Sequence, residues 1–122
     1  MKFGVLIEKY EIPVRGFTPE HNAYPFNYMI GTEAMRQESV EYLKTSMDMA
    51  KEMGADLSLI SAGHSGYGTT YKEMWDRLVE TVRELADHAE KIQHKLIMET
   101  LTTYESNVIK KCQRFTGALS MG

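Results

Sequence analysis

The chain has 122 residues, 43% hydrophobic and 25% charged, which suits one domain with its own core and excludes a disordered or fibrous chain. One cysteine excludes a disulfide framework and points to a reducing compartment. A net charge of −3 argues against a nucleic-acid partner, which calls for a basic face.

In chain order, Met1-Lys2-Phe3-Gly4-Val5-Leu6-Ile7-Glu8 turns charged too soon for a signal peptide, and no apolar run approaches a membrane span. The expectation is a cytoplasmic protein with no membrane partner. Residues 2–10 read as a short helix, and residues 12–17 as a first strand. The connection from Thr18 to Gly31 is long and rich in Pro, Asn, Tyr and Phe, a length that is often functional.

Residues 33–53 place Val40, Leu43, Met47 and Ala50 on one helical face, with Thr32 as N-cap and Gly54 as stop. The methionines at 47, 49 and 53 read as core filler. Residues 56–62 are a second strand. Thr70-Tyr71-Lys72-Glu73 fits a capping box, in which threonine and glutamate satisfy each other's backbone donors. Trp75, Leu78, Val82, Leu85, Ala89 and Ile92 follow at helical spacing, and Glu80, Arg83, Glu84, Asp87 and Lys91 form the wet side. Residues 95–101 are a third strand. The alternation predicts an α/β fold with three parallel strands and covering helices.

In such folds, binding groups gather beyond the carboxyl ends of the strands. There the sequence places Glu20 and His21, then Gly63, His64, Ser65, Gly66 and Tyr67, then Glu99 and Glu105. Glu99 interrupts an apolar strand expected to be buried on both faces. A carboxylate there is costly unless it is paired or binds a metal, so it reads as a metal ligand or general base, or as a structural ion-pair partner. His64 reads as a pocket group or as a histidine satisfied within its turn. The glycines around it also permit a phosphate cradle, although their spacing fits no known phosphate fingerprint. Glu20 and His21 read as hydroxyl-holding groups or ordinary loop residues, and Glu105 as a solvated acid. Cys112 has no partner motif and is given no role.

The run Phe17-Thr18-Pro19-Glu20-His21-Asn22-Ala23-Tyr24-Pro25-Phe26-Asn27 resembles the third-strand loop of the fructoselysine epimerases, members of the xylose-isomerase-like TIM barrels. Residues 47–53, Leu59-Ile60-Ser61-Ala62-Gly63-His64 and residues 101–108 continue the resemblance. It covers residues 5–109, and residues 110–122 diverge as a tail of the same single, partial barrel domain.

The resemblance implies metal-assisted proton transfer beside a keto-sugar carbonyl, acting on a sugar or sugar-amine substrate. Glu99 matches the fifth-strand glutamate that binds a divalent metal, of Mn or Mg type, and moves a proton. Glu105 and His64 match the substrate side of the pocket, and Glu20 and Tyr67 join them as substrate-binding candidates by their place on the rim. A complete barrel has eight strands and about 250 residues. The family's aspartate, histidine and second catalytic glutamate, on its sixth to eighth strands, have no counterpart here. Thr100 and Thr103 stand where prolines are usual, and Gln93 where a helix-ending glycine is usual. The expectation is therefore a truncated chain, inactive alone, that does not hold the metal tightly. The exposed inner face of a barrel segment predicts a homo-oligomer. The alternative is a non-catalytic α/β module or gene remnant that self-assembles or pairs with a missing barrel half. An apurinic-endonuclease relative is disfavoured by the acidic balance and the absent ligands.

Overall fold

The computed structural model of the protein describes residues 3–20, 27–66 and 68–100. The element order is α1 (Phe3–Tyr10), β1 (Gly16–Phe17), α2 (Glu33–Glu52), β2 (Leu57–Ser61), α3 (Tyr71–Lys91) and β3 (Lys95–Glu99). The strands form one sheet in the order β1-β2-β3, with both pairings parallel. This is the predicted topology.

Each long helix starts and stops for a local reason. The Thr32 hydroxyl accepts the Met35 N–H at the start of α2. At α3 the capping box is complete: the Glu73 N–H donates to Thr70 Oγ1, and the Thr70 N–H donates to the Glu73 carboxylate at 3.0 Å. Among the described residues, all three helices end in the same pair of bonds. In α2, Gly54 N–H donates to Lys51 C=O and Ala55 N–H to Ala50 C=O. In α3, Gln93 N–H donates to Glu90 C=O and His94 N–H to Ala89 C=O. In α1, Glu11 and Ile12 do the same to Glu8 and Ile7. This motif requires a left-handed residue just past the helix. Gly54 supplies it freely at φ 83°, whereas Gln93 (φ 54°) and Glu11 (φ 50°) adopt it against their Cβ atoms.

The core lies between the helices and one face of the sheet. Val40, Leu43 and Met47 from α2 meet Met74, Leu78, Val82, Leu85 and Ala89 from α3 over Ile60, with Leu96 and Met98 packed against them; Ala50 of α2 is buried as well. Arg36 is 1% exposed, yet its guanidinium meets Glu33 and Glu84 at 2.7 and 2.8 Å and donates to Thr81 Oγ1 at 3.2 Å. This tie between α2 and α3 contradicts the expectation that Glu84 lies wholly on a wet side. Met49, expected in the core, is exposed.

Two strand expectations are corrected. The first strand, expected over 12–17, pairs only at Gly16 and Phe17. Pro13 has no N–H to donate, and Ile12 is 56% exposed. The third strand is buried on one face only. Leu96 and Met98 point at the core, while Lys95, Ile97 and Glu99 are exposed on the other side.

Candidate functional site

Parallel pairing sets the site. Leu57, Leu59 and Ser61 are register partners of Lys95, Ile97 and Glu99. Side chains alternate along a strand, so these six share the face turned away from the helices. Ser61 and Glu99 end their strands at the carboxyl edge. The same edge carries the outgoing segments Thr18–Glu20 after β1 and Ala62–Gly66 after β2.

Glu99 is exposed there, so its carboxylate stays hydrated and the expected burial cost does not arise. Glu20 is exposed beyond β1. His21, Tyr67 and Glu105 lie outside the described residues.

His64 is half-buried in a turn built on left-handed Gly63 (φ 68°) and Gly66 (φ 70°). Its Nδ1 accepts the Gly66 N–H at 3.0 Å. A ring nitrogen that accepts carries no proton, so this bond assigns the proton of the neutral ring to Nε2. His64 is thus satisfied within its turn, by an N–H rather than a carbonyl. The same bond weakens the phosphate-cradle reading, because one of the amides a cradle needs is already engaged.

Asn27 and Tyr28 brace this turn, and the sequence reading assigned them nothing. Asn27 Nδ2 donates to the His64 carbonyl at 3.2 Å, and its Oδ1 accepts the Met29 N–H at 2.9 Å. The buried Tyr28 hydroxyl donates to the Ser61 carbonyl. Burial pushes that phenol above its ordinary pKa, which keeps it a donor. Asn27 does end the long loop run, but a side chain that bonds distant backbone leaves no periodic trace in a sequence.

The described residues do not by themselves make a metal centre. Among them no three His, Cys, Asp or Glu side chains come together. Glu99 is one carboxylate with a serine across from it, whereas divalent cations are held tightly by several oxygen ligands.

The opposite edge is structural. Buried His94 shares a 2.9 Å hydrogen bond with Ser58, and Arg15 pairs with Asp56 at 3.5 Å. Both lie at the amino ends of the strands, which in barrels serve stability.

Comparison with known proteins decides what this sheet belongs to. Residues 2–120 match the model of the xylose isomerase-like TIM barrel family. The chain belongs to that family. Its three parallel strands are a barrel segment, and its kin are sugar isomerases and epimerases. It is 48% identical over 116 residues to the fructoselysine 3-epimerase of Escherichia coli O157:H7, covering 95% of this chain and 42% of that protein. The Shigella flexneri fructoselysine 3-epimerase is 47% identical over the same share. The chain thus spans less than half the length of these curated relatives.

The crystal structure of the 3-keto-D-glucoside 4-epimerase from E. coli, in its apo form, superposes with a TM-score of 0.81 at 12% identity, over 98% of this chain and 49% of that one. A D-tagatose 3-epimerase-like protein gives 0.65 at 22% identity, over 80% and 36%. These likenesses show the fold. Among the described residues, no helix is long and apolar enough to cross a membrane.

Proposed function

We propose that this chain forms the third-to-fifth-strand part of a sugar epimerase site, and that Glu99 moves a proton at the carbon beside a keto-sugar carbonyl. The observation that carries the reading is the position of Glu99. It ends β3 at the carboxyl edge, on the face turned away from α2 and α3, across from Ser61. In a closed barrel that face is the interior, and that edge holds the chemistry.

The carboxylate takes the proton, leaving an enediolate, and a group on the other face of the sugar returns it, inverting the centre. The described residues supply only the first of these carriers. His64, with its proton on Nε2, is a donor for a substrate oxygen, and Glu20, Tyr67 and Glu105 complete the substrate side. The substrate class is a sugar or sugar-amine adduct, by likeness to the fructoselysine 3-epimerases. A divalent cation of Mn or Mg type belongs to the proposal for the whole barrel, with Glu99 as one ligand. This chain alone does not hold it tightly, and by itself it is inactive. A cytoplasmic location fits the single cysteine.

One observation favours a second role as a self-assembling module. Ile97 is 43% exposed on the uncovered face, beside half-buried Leu57 and Leu59. Such a face invites a second copy of the chain.

The test is solvent-deuterium incorporation at the carbon beside the carbonyl of a keto-sugar or its amine adduct. The chain is assayed with Mn²⁺, alone and mixed with the remaining strands of a relative, the first two and the sixth to eighth. No exchange alone, exchange with the added strands and its loss in Glu99→Gln support the proposal. Restored exchange that survives Glu99→Gln refutes the role of Glu99.

A further inference from the structure

We propose that Asn27 is a positioning residue of this site, holding the His64 turn so that the imidazole presents an Nε2–H donor. The inference rests on the reading above that His64 faces substrate. It adds a residue and a physical means by which the His64 ring is held.

Three bonds form one connected path. Asn27 Oδ1 accepts the Met29 N–H at 2.9 Å, which fixes the amide on its own backbone. Its Nδ2 donates to the His64 carbonyl at 3.2 Å, thirty-seven residues away in sequence. His64 Nδ1 then accepts the Gly66 N–H at 3.0 Å. Both amide ends of Asn27 are therefore used, which fixes which end is oxygen and which is nitrogen.

The His64 carbonyl needs an outside hold. Gly63 and Gly66 are both left-handed, at φ 68° and 70°. Glycine costs nothing there, but it also leaves the unbraced turn many alternatives. The Ser61 end of the same stretch is held by the Tyr28 hydroxyl. Two consecutive residues thus grip the two ends of Ser61–His64. Loss of the Asn27 donor weakens the hold on the Gly66 N–H and the His64 ring, and the share of the imidazole proton on Nδ1 rises.

The experiment uses the full chain, labelled with ¹⁵N, and reads two quantities by NMR. One is the separation of the His64 imidazole nitrogen shifts, which reports the tautomer. The other is amide exchange at Gly66. Asn27→Asp keeps the volume and the acceptor for Met29 but removes the donor to His64. The expected result is a narrowed nitrogen separation and Gly66 exchange faster by about tenfold, the scale of one hydrogen bond, with the amides of α2 and α3 unchanged. If Asn27→Asp loses core protection, Asn27→Ser carries the same test, because its hydroxyl is too short to span to the His64 carbonyl. An unchanged separation and unchanged Gly66 exchange in a folded variant overturn the proposal. Neither readout requires turnover, so a negative result here is separate from failure of the epimerase reading.

Discussion

Ser61 and Glu99 are register partners at the carboxyl ends of β2 and β3, on the face turned away from α2 and α3. Their pairing turns an isolated acidic residue in an apolar strand into a feature of a barrel rim.

The end of α3 is a place where the protein is less stable than it could be. Gln93 holds φ 54° in the position that Gly54 fills at the end of α2. A Cβ in that conformation costs roughly 1–2 kcal/mol, and glycine returns part of this as unfolded-state entropy. Gln93→Gly is expected to stabilise the chain by about 0.5–1 kcal/mol. Urea unfolding with an unchanged m-value checks it.

Acid is expected to destabilise the fold through His94. Burial, with the nearby Lys51 charge, lowers its pKa below the ordinary 6.5, and Asp56 opposes the shift weakly. The unfolded chain therefore binds the proton more readily than the folded one. Stability is full above the unfolded value and falls as the pH drops from 6.5 toward the folded value. His94→Gln should flatten this slope in urea unfolding at pH values on either side of that window.

Arg36 joins α2 to α3 through a guanidinium that is 1% exposed while its carboxylate partners reach solvent. Removing it frees acids that water can take up, so the loss comes from packing and charged hydrogen bonds. Arg36→Ala is expected to cost roughly 2–3 kcal/mol in thermal or urea unfolding. Arg36→Lys should recover only part, because an ammonium cannot fork between Glu33 and Glu84.

The uncovered face predicts self-association. Ile97, exposed at the centre of β3, is the residue to charge. Light scattering is expected to show a dimer or larger species for the chain and a shift to monomer for Ile97→Glu. A monomer at every concentration counts against the interface.

Periodicity and caps made much of this fold legible. Thr70 and Glu73 marked the start of α3, and the spacing from Leu78 to Ala89 marked its buried face. The parallel pairing followed from alternation, and the strand order from alternation together with the family resemblance. The first strand was overestimated because Ile12 and Val14 are apolar, while pairing begins only at Gly16. Arg36 was missed because helical spacing counts an arginine as surface. Glu99 and His64 were legible as rim residues, the first by its place in an apolar strand, the second by the glycines beside it. Asn27 was not, because its partner lies in another loop and only the fold brings the two together.

Deuterium exchange at the sugar carbon beside the carbonyl reports directly whether Glu99 carries a proton. The chain is assayed with Mn²⁺ and the remaining strands of a fructoselysine 3-epimerase, the first two and the sixth to eighth, with and without Glu99→Gln. The expected result is exchange in the mixture only, falling at least about a hundredfold in the variant, the lower scale of general acid–base catalysis. Exchange by the chain alone, or exchange in the mixture that is indifferent to Glu99→Gln, would contradict it.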